Sequence, residues 1–134
     1  MSKLILEATL ENLSRVLAFV DEQLEARDCP MKIQMQIDIA VEEIYVNIAH
    51  YAYAPNIGNA EITVDFEGST AVLEFRDTGM FFDPLAKADP DVTLSAEQRQ
   101  IGGLGIYMVK KSMDAVEYRY ENGTNILTIR KEIG

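Results

Sequence analysis

The stretch Glu61-Ile62-Thr63-Val64-Asp65-Phe66-Glu67-Gly68-Ser69-Thr70-Ala71-Val72-Leu73-Glu74-Phe75-Arg76-Asp77 decides the fold. Ile62, Val64 and Phe66 alternate with Glu61, Thr63, Asp65 and Glu67, so one face of a strand is buried and the other is wet. Glu67-Gly68-Ser69 turns the chain, and Ala71, Leu73, Phe75 and Asp77 carry the apolar face back along a second strand. The hairpin therefore ends on a carboxylate aimed at the apolar side, where a charge is costly unless donors meet it. Asp77 also opens Asp77-Thr78-Gly79, which suits a turn or cap. It reads either as that turn residue or as an acceptor for the amino group of a purine.

Working outward from the hairpin, the helical period replaces the strand period. Ile33, Ile37, Val41, Ile44 and Ile48 form one stripe, which predicts a helix from about Met31 to Tyr53, ended by Pro55-Asn56-Ile57-Gly58-Asn59. Leu13, Val16, Leu17, Val20 and Leu24 predict an earlier helix within Leu10 to Arg27, and Leu4 to Thr9 reads as a short strand. On the other side, Gly79 to Gly102 contains Pro84 and Pro90 and holds no steady period, apart from a short helix near Ser95 to Gln100. Gly102-Gly103-Leu104-Gly105 opens a third helix to about Met113, closed by Lys110 and Lys111 where the helix dipole favours cations. Val116-Tyr118-Tyr120, the turn Glu121-Asn122-Gly123, and Ile126 to Lys131 form a second hairpin. The expectation is an α+β, two-layer sandwich: a mixed, mostly antiparallel five-stranded sheet with three helices on one face.

The chain has 134 residues, the size of one domain covering 1–134. Its net charge of −10 argues against a partner held through nucleic-acid phosphates or an anionic membrane. Cys29 is the lone cysteine and His50 the lone histidine, which excludes an internal disulfide and a transition-metal cluster. The apolar run Leu4-Ile5-Leu6 is too short for a signal peptide or a membrane span, so a cytoplasmic protein is expected.

Glu43 and Asn47 lie one helical turn apart on the edge of the second helix's stripe. They describe either a solvated boundary pair or a carboxylate base beside an amide oxygen able to hold Mg²⁺. The glycines at 102, 103 and 105 allow close backbone approach at a helix start, where free amides favour phosphate. No Lys-Ser/Thr follows them, so this is not the lysine-containing phosphate loop.

Taken in order, these segments resemble a known family. Val41-Glu42-Glu43-Ile44-Tyr45-Val46-Asn47 is similar to the N box of the GHKL ATPases. Asp77-Thr78-Gly79-Met80-Phe81-Phe82-Asp83-Pro84 resembles their first glycine box, and Gly102-Gly103-Leu104-Gly105-Ile106 the second. Size and spacing resemble the single-domain anti-sigma-factor serine kinases. The resemblance implies ATP and Mg²⁺ as ligands, Glu43 as general base, and Asn47 as metal ligand. It further implies Asp77 and Gly79 at the adenine, Thr128 near it, and Gly102, Gly103, Leu104, Gly105 and Ile106 around the phosphates. Tyr51 and Phe82 join the nucleotide group, residues 85–101 form an ATP lid, and Arg99 contacts the γ-phosphate. The implied function is a serine kinase acting on a serine-bearing anti-anti-sigma partner, with a sigma factor as a second partner and a homodimeric state. The alternative is an ATP-binding module that transfers no phosphate. One departure stands out: where the family commonly continues to His-Ala-Tyr, this chain has Tyr51-Ala52-Tyr53, with His50 one position early.

Overall fold

The computed structural model describes residues 1–86 and 103–134, with backbone alone at 103 and 104. The strands are β1 (Ser2–Glu7), β2 (Asn59–Glu67), β3 (Thr70–Asp77), β4 (Ala115–Glu121) and β5 (Thr124–Glu132), and the helices are α1 (Leu13–Glu25), α2 (Met31–Asn47) and α3 (Gly103–Ser112). The sheet order is β1-β2-β3-β5-β4. Each of its four pairings is antiparallel, so the expected mixed sheet has no parallel pair among the described residues.

The β2–β3 hairpin forms as its alternation dictates, with Ile62 opposite Phe75 and Val64 opposite Leu73. Ala71, Leu73, Phe75 and Asp77 are buried while their neighbours are half-exposed. The same face continues onto β5 through the pairs Leu73–Ile129, Phe75–Leu127 and Asp77–Asn125. Val16, Val20 and Leu24 of α1 and Ile37, Val41 and Ile44 of α2 join this face in one hydrophobic cluster. Each such side chain removed from water contributes about 1.5–3 kcal/mol. α2 lies in the middle of the helical layer, packed against both α1 and α3. Tyr45, fully buried on α2, reaches the end of β1 with its hydroxyl 2.7 Å from Thr9 O and 3.1 Å from Glu7 O.

The opposite face carries no helix and is covered by its own long side chains. Lys3–Glu61 (3.5 Å), Glu61–Arg76 (3.8 Å), Arg76–Glu74 (3.0 Å), Glu74–Arg119 (3.3 Å) and Arg119–Glu121 (3.2 Å) run across the strands as a ladder of alternating charge. Their aliphatic stems shield Thr63, Ile126 and Thr128, all buried on this face.

Element ends shift from the sequence reading for local reasons. β1 stops at Glu7 because Ala8 N donates to Gly58 O instead of continuing the ladder. A 3-10 turn, Leu10–Asn12, precedes α1. α2 keeps its α-helical form only to Asn47 and widens into a π-helical turn, Ile48–Ala52, a feature frequent at functional sites. The short helix expected near Ser95 to Gln100 lies outside the described residues.

Candidate functional site

The carboxyl ends of β3 and α2 meet at a cleft with about 490 Å³ of empty space, open to solvent. Phe75, Leu127, Ile44, Ile48 and Ile106 make its lining apolar, with Asp77, Asn47, Tyr51, Tyr118 and Asn125 as its polar groups. That pattern, apolar walls with a few convergent polar groups, suits a small organic ligand.

Asp77 is 7% exposed, at the end of β3. Its Oδ1 accepts from Gly79 N and from Asn125 Nδ2, each at 3.0 Å. Burial pushes its pKa up from the usual carboxylate range, and these two donors pull it back. Gly79 is required by packing: a Cβ there would lie 2.5 Å from the carbonyl carbon of Ala52, in the π-helical turn. Met80 N donates to that same Ala52 carbonyl at 2.8 Å. The turn that begins at Asp77 is thus docked on the end of the second helix.

Asn47 and Tyr51 line the cleft from the helical side. Glu43, one turn before Asn47, is half-buried against α3, where a Cβ on Gly105 would lie 2.7 Å from its Cδ. Phe82 and Ile106 form part of the apolar wall. Gly103 and Leu104 sit in the first turn of α3. His50 is exposed beside Tyr51, ring centroids 5.8 Å apart in an edge-on arrangement.

Thr128 does not join this group. It pairs across the strands with Glu74 and Glu117, on the ladder face of the sheet, because period-two alternation turns it away from Asn125, Leu127 and Ile129. The residue that β5 brings to the cleft is Asn125, which the sequence reading missed. The same argument that singled out Asp77 finds it: a polar residue sharing the face of Leu127 and Ile129. Tyr53 was missed too. Its hydroxyl donates to Asn59 O (2.6 Å) and accepts from Thr78 N (2.9 Å), while its ring fills the space beside Gly58. Arg99, Gly102 and most of the expected lid 85–101 lie outside the described residues.

The family model of the histidine kinase-like ATPase domain matches residues 6–131. The chain belongs to that family. Among the family's curated members, it is 25% identical over 99 residues to the serine/threonine-protein kinase BtrW of Bordetella bronchiseptica, covering 73% of this chain and 70% of that one. It is 23% identical over 127 residues to the serine-protein kinase RsbW of Bacillus cereus, covering 92% and 73%. The crystal structure of the RsbU and RsbW domains of a Mycobacterium tuberculosis protein superposes with a TM-score of 0.66 at 14% identity, over 99% of this chain and 33% of that one. The GHKL-type recognition and the α+β architecture are borne out by these matches. Among the described residues, no helix of this family member is long and apolar enough to cross a membrane.

Proposed function

We propose that this chain is a Mg²⁺-ATP-dependent serine protein kinase acting on a serine-bearing partner of the anti-anti-sigma kind, with a sigma factor as a second partner. The observation that carries this reading is Asp77, a buried carboxylate on the floor of an apolar cleft whose helical rim presents Asn47, with Glu43 one turn away. An ionised carboxylate accepts from the 6-amino group of adenine. The apolar walls suit the base, and the first turn of α3 offers free amides to phosphate. The names of the relatives, serine kinases, support the reaction class.

The donor set fits Mg²⁺ held jointly with nucleotide. Asn47 supplies a neutral oxygen at the cleft, and among the described residues no three His, Cys, Asp or Glu side chains converge to cage a metal. A hard cation here would take Asn47 and complete its shell with phosphate oxygens and water. Bound there, it would neutralise phosphate charge. Glu43 would take the proton of the serine hydroxyl as that oxygen bonds to the γ-phosphorus. The bond from that phosphorus to the bridging oxygen breaks, and ADP leaves. Positioning and electrostatics dominate such transfers.

The test is incubation with γ-labelled ATP and a serine-bearing candidate partner. Label on the partner's serine is the expected result. Tight ATP binding with no label on any partner replaces this reading with that of a binding module.

A further inference from the structure

Asn125 uses its whole amide. Its Nδ2 donates to Asp77 Oδ1 (3.0 Å) and Met80 O (2.9 Å), and its Oδ1 accepts from Phe82 N (3.2 Å) and from the Tyr118 hydroxyl. Two donors and two acceptor sites are the full capacity of the group. Turning the amide over would set its NH₂ against Phe82 N–H and its oxygen against a carboxylate and a carbonyl, so one orientation is fixed. The residue is 6% exposed, directly across from Asp77 in the β3–β5 register.

This arrangement does two things at once. It fills Asp77 Oδ1, whose lone pairs are taken by Asn125 and Gly79, and so leaves Oδ2 as the carboxylate's remaining acceptor. It also ties Met80 and Phe82, two residues of the cleft wall, to the sheet. We infer that Asn125 is a positioning residue for base specificity, holding Asp77 as a one-sided, ionised acceptor that takes a 6-amino purine and rejects a 6-oxo purine. This inference rests on the nucleotide reading of the cleft.

The chemistry follows from what Asp77 becomes without its neighbour. Burial opposes the charge, and Asn125 heads the donors that sustain it. Tyr118 on β4 and Asp83 in the following loop offer no compensating cation, nor does Tyr51 on the π-helical turn, and Glu43 on α2 adds a like charge. A protonated Asp77 can donate to a 6-oxo group, so the discrimination would vanish and ATP binding would acquire a pH dependence.

The experiment compares wild type with Asn125→Leu, which removes both donors and acceptor, and Asn125→Thr, which keeps a donor. ATP and GTP affinities are measured by calorimetry from about pH 6 to pH 9, and the Asp77 carboxyl is titrated by NMR in the nucleotide-free protein. Wild type should prefer ATP by about 10- to 100-fold, the worth of a hydrogen bond to a charged group. In Asn125→Leu the preference should fall to about threefold or less, the Asp77 titration should move upward, and ATP affinity should follow it. Asn125→Thr should restore part of both effects, and it carries the test if the leucine variant does not fold. An unmoved Asp77 titration, or full ATP preference in either variant, overturns the inference. Wild type binding neither nucleotide overturns the kinase reading instead, and the specificity role with it.

Discussion

Glu43 occupies the space where a side chain at position 105 would begin: a Cβ on Gly105 would stand 2.7 Å from Glu43 Cδ and overlap Oε2. The absent side chain on α3 is what seats the carboxylate on α2, so the helix–helix contact and the proposed base are one feature. Gly105→Ala should displace Glu43 and lower phosphoryl transfer at least about tenfold, while alanine's higher helix preference holds or raises the melting temperature by its ~0.5–1 kcal/mol advantage. Glu43→Gln should lower transfer by ~10²–10⁴-fold with ATP affinity nearly unchanged. Single-turnover transfer beside calorimetric ATP binding checks both, and a wild-type transfer rate in Glu43→Gln removes it as base.

Gly79 presents the opposite case. Its neighbour is the Ala52 backbone, which cannot swing aside as a carboxylate can. Gly79→Ala should destabilise by about 1–3 kcal/mol, the usual cost of overpacking. Urea denaturation reads it directly, and a midpoint equal to wild type would mean that the turn had shifted at no cost.

Asn47 divides binding from turnover in another way. Asn47→Ala should weaken ATP binding when Mg²⁺ is present and leave the metal-free affinity close to wild type. Titrations with and without a chelator give the two values. Equal losses in both would place the asparagine's role on the nucleotide itself.

A pH dependence is built into the α1–α2 contact. Asp21 on α1 and Asp38 on α2 each hold a buried Oδ1 without a hydrogen-bond partner. Burial, the adjoining Asp21 carboxyl and the charge of Glu25 push the Asp38 pKa up to about 8. The folded value exceeds the unfolded one of about 3.9, so the stabilisation is complete below about pH 4 and disappears as pH rises through about 8. The melting temperature should therefore decline across that interval. Asp38→Asn, which keeps a donor at every pH, should flatten the decline, and an unchanged slope would exclude the pair as its cause.

Much of this was legible in the chain. The alternation from Glu61 to Asp77 is strict, one face being covered by helices, and a one-residue slip would have exposed the whole core. Glu43, Asn47 and Asp77 could be placed because helix and strand periods carry a side chain to a definite face. Thr128 was assigned from its resemblance to a motif, although the alternation that located Asp77 sends it to the ladder face. Asn125 escaped because nothing local distinguishes it from a turn residue after Asn122-Gly123. Its role exists only once β3 and β5 are side by side. The widened turn at Ile48–Ala52 was invisible for a similar reason, since the apolar stripe runs through Ile48 in phase with an α-helix.

That widened turn bears on how the chain varies over evolutionary time. A π-helical turn holds one residue more than an α-helical turn of the same span, so it is where a helix absorbs an insertion without changing what precedes it. Glu43 and Asn47 lie before it, while Ala52 and Tyr53, which dock the Asp77 turn and the start of β2, lie after it. Position-by-position alignment is therefore secure up to Asn47 and can slip by one beyond it. The early His50 and the displaced Tyr51 are what such a slip looks like in sequence.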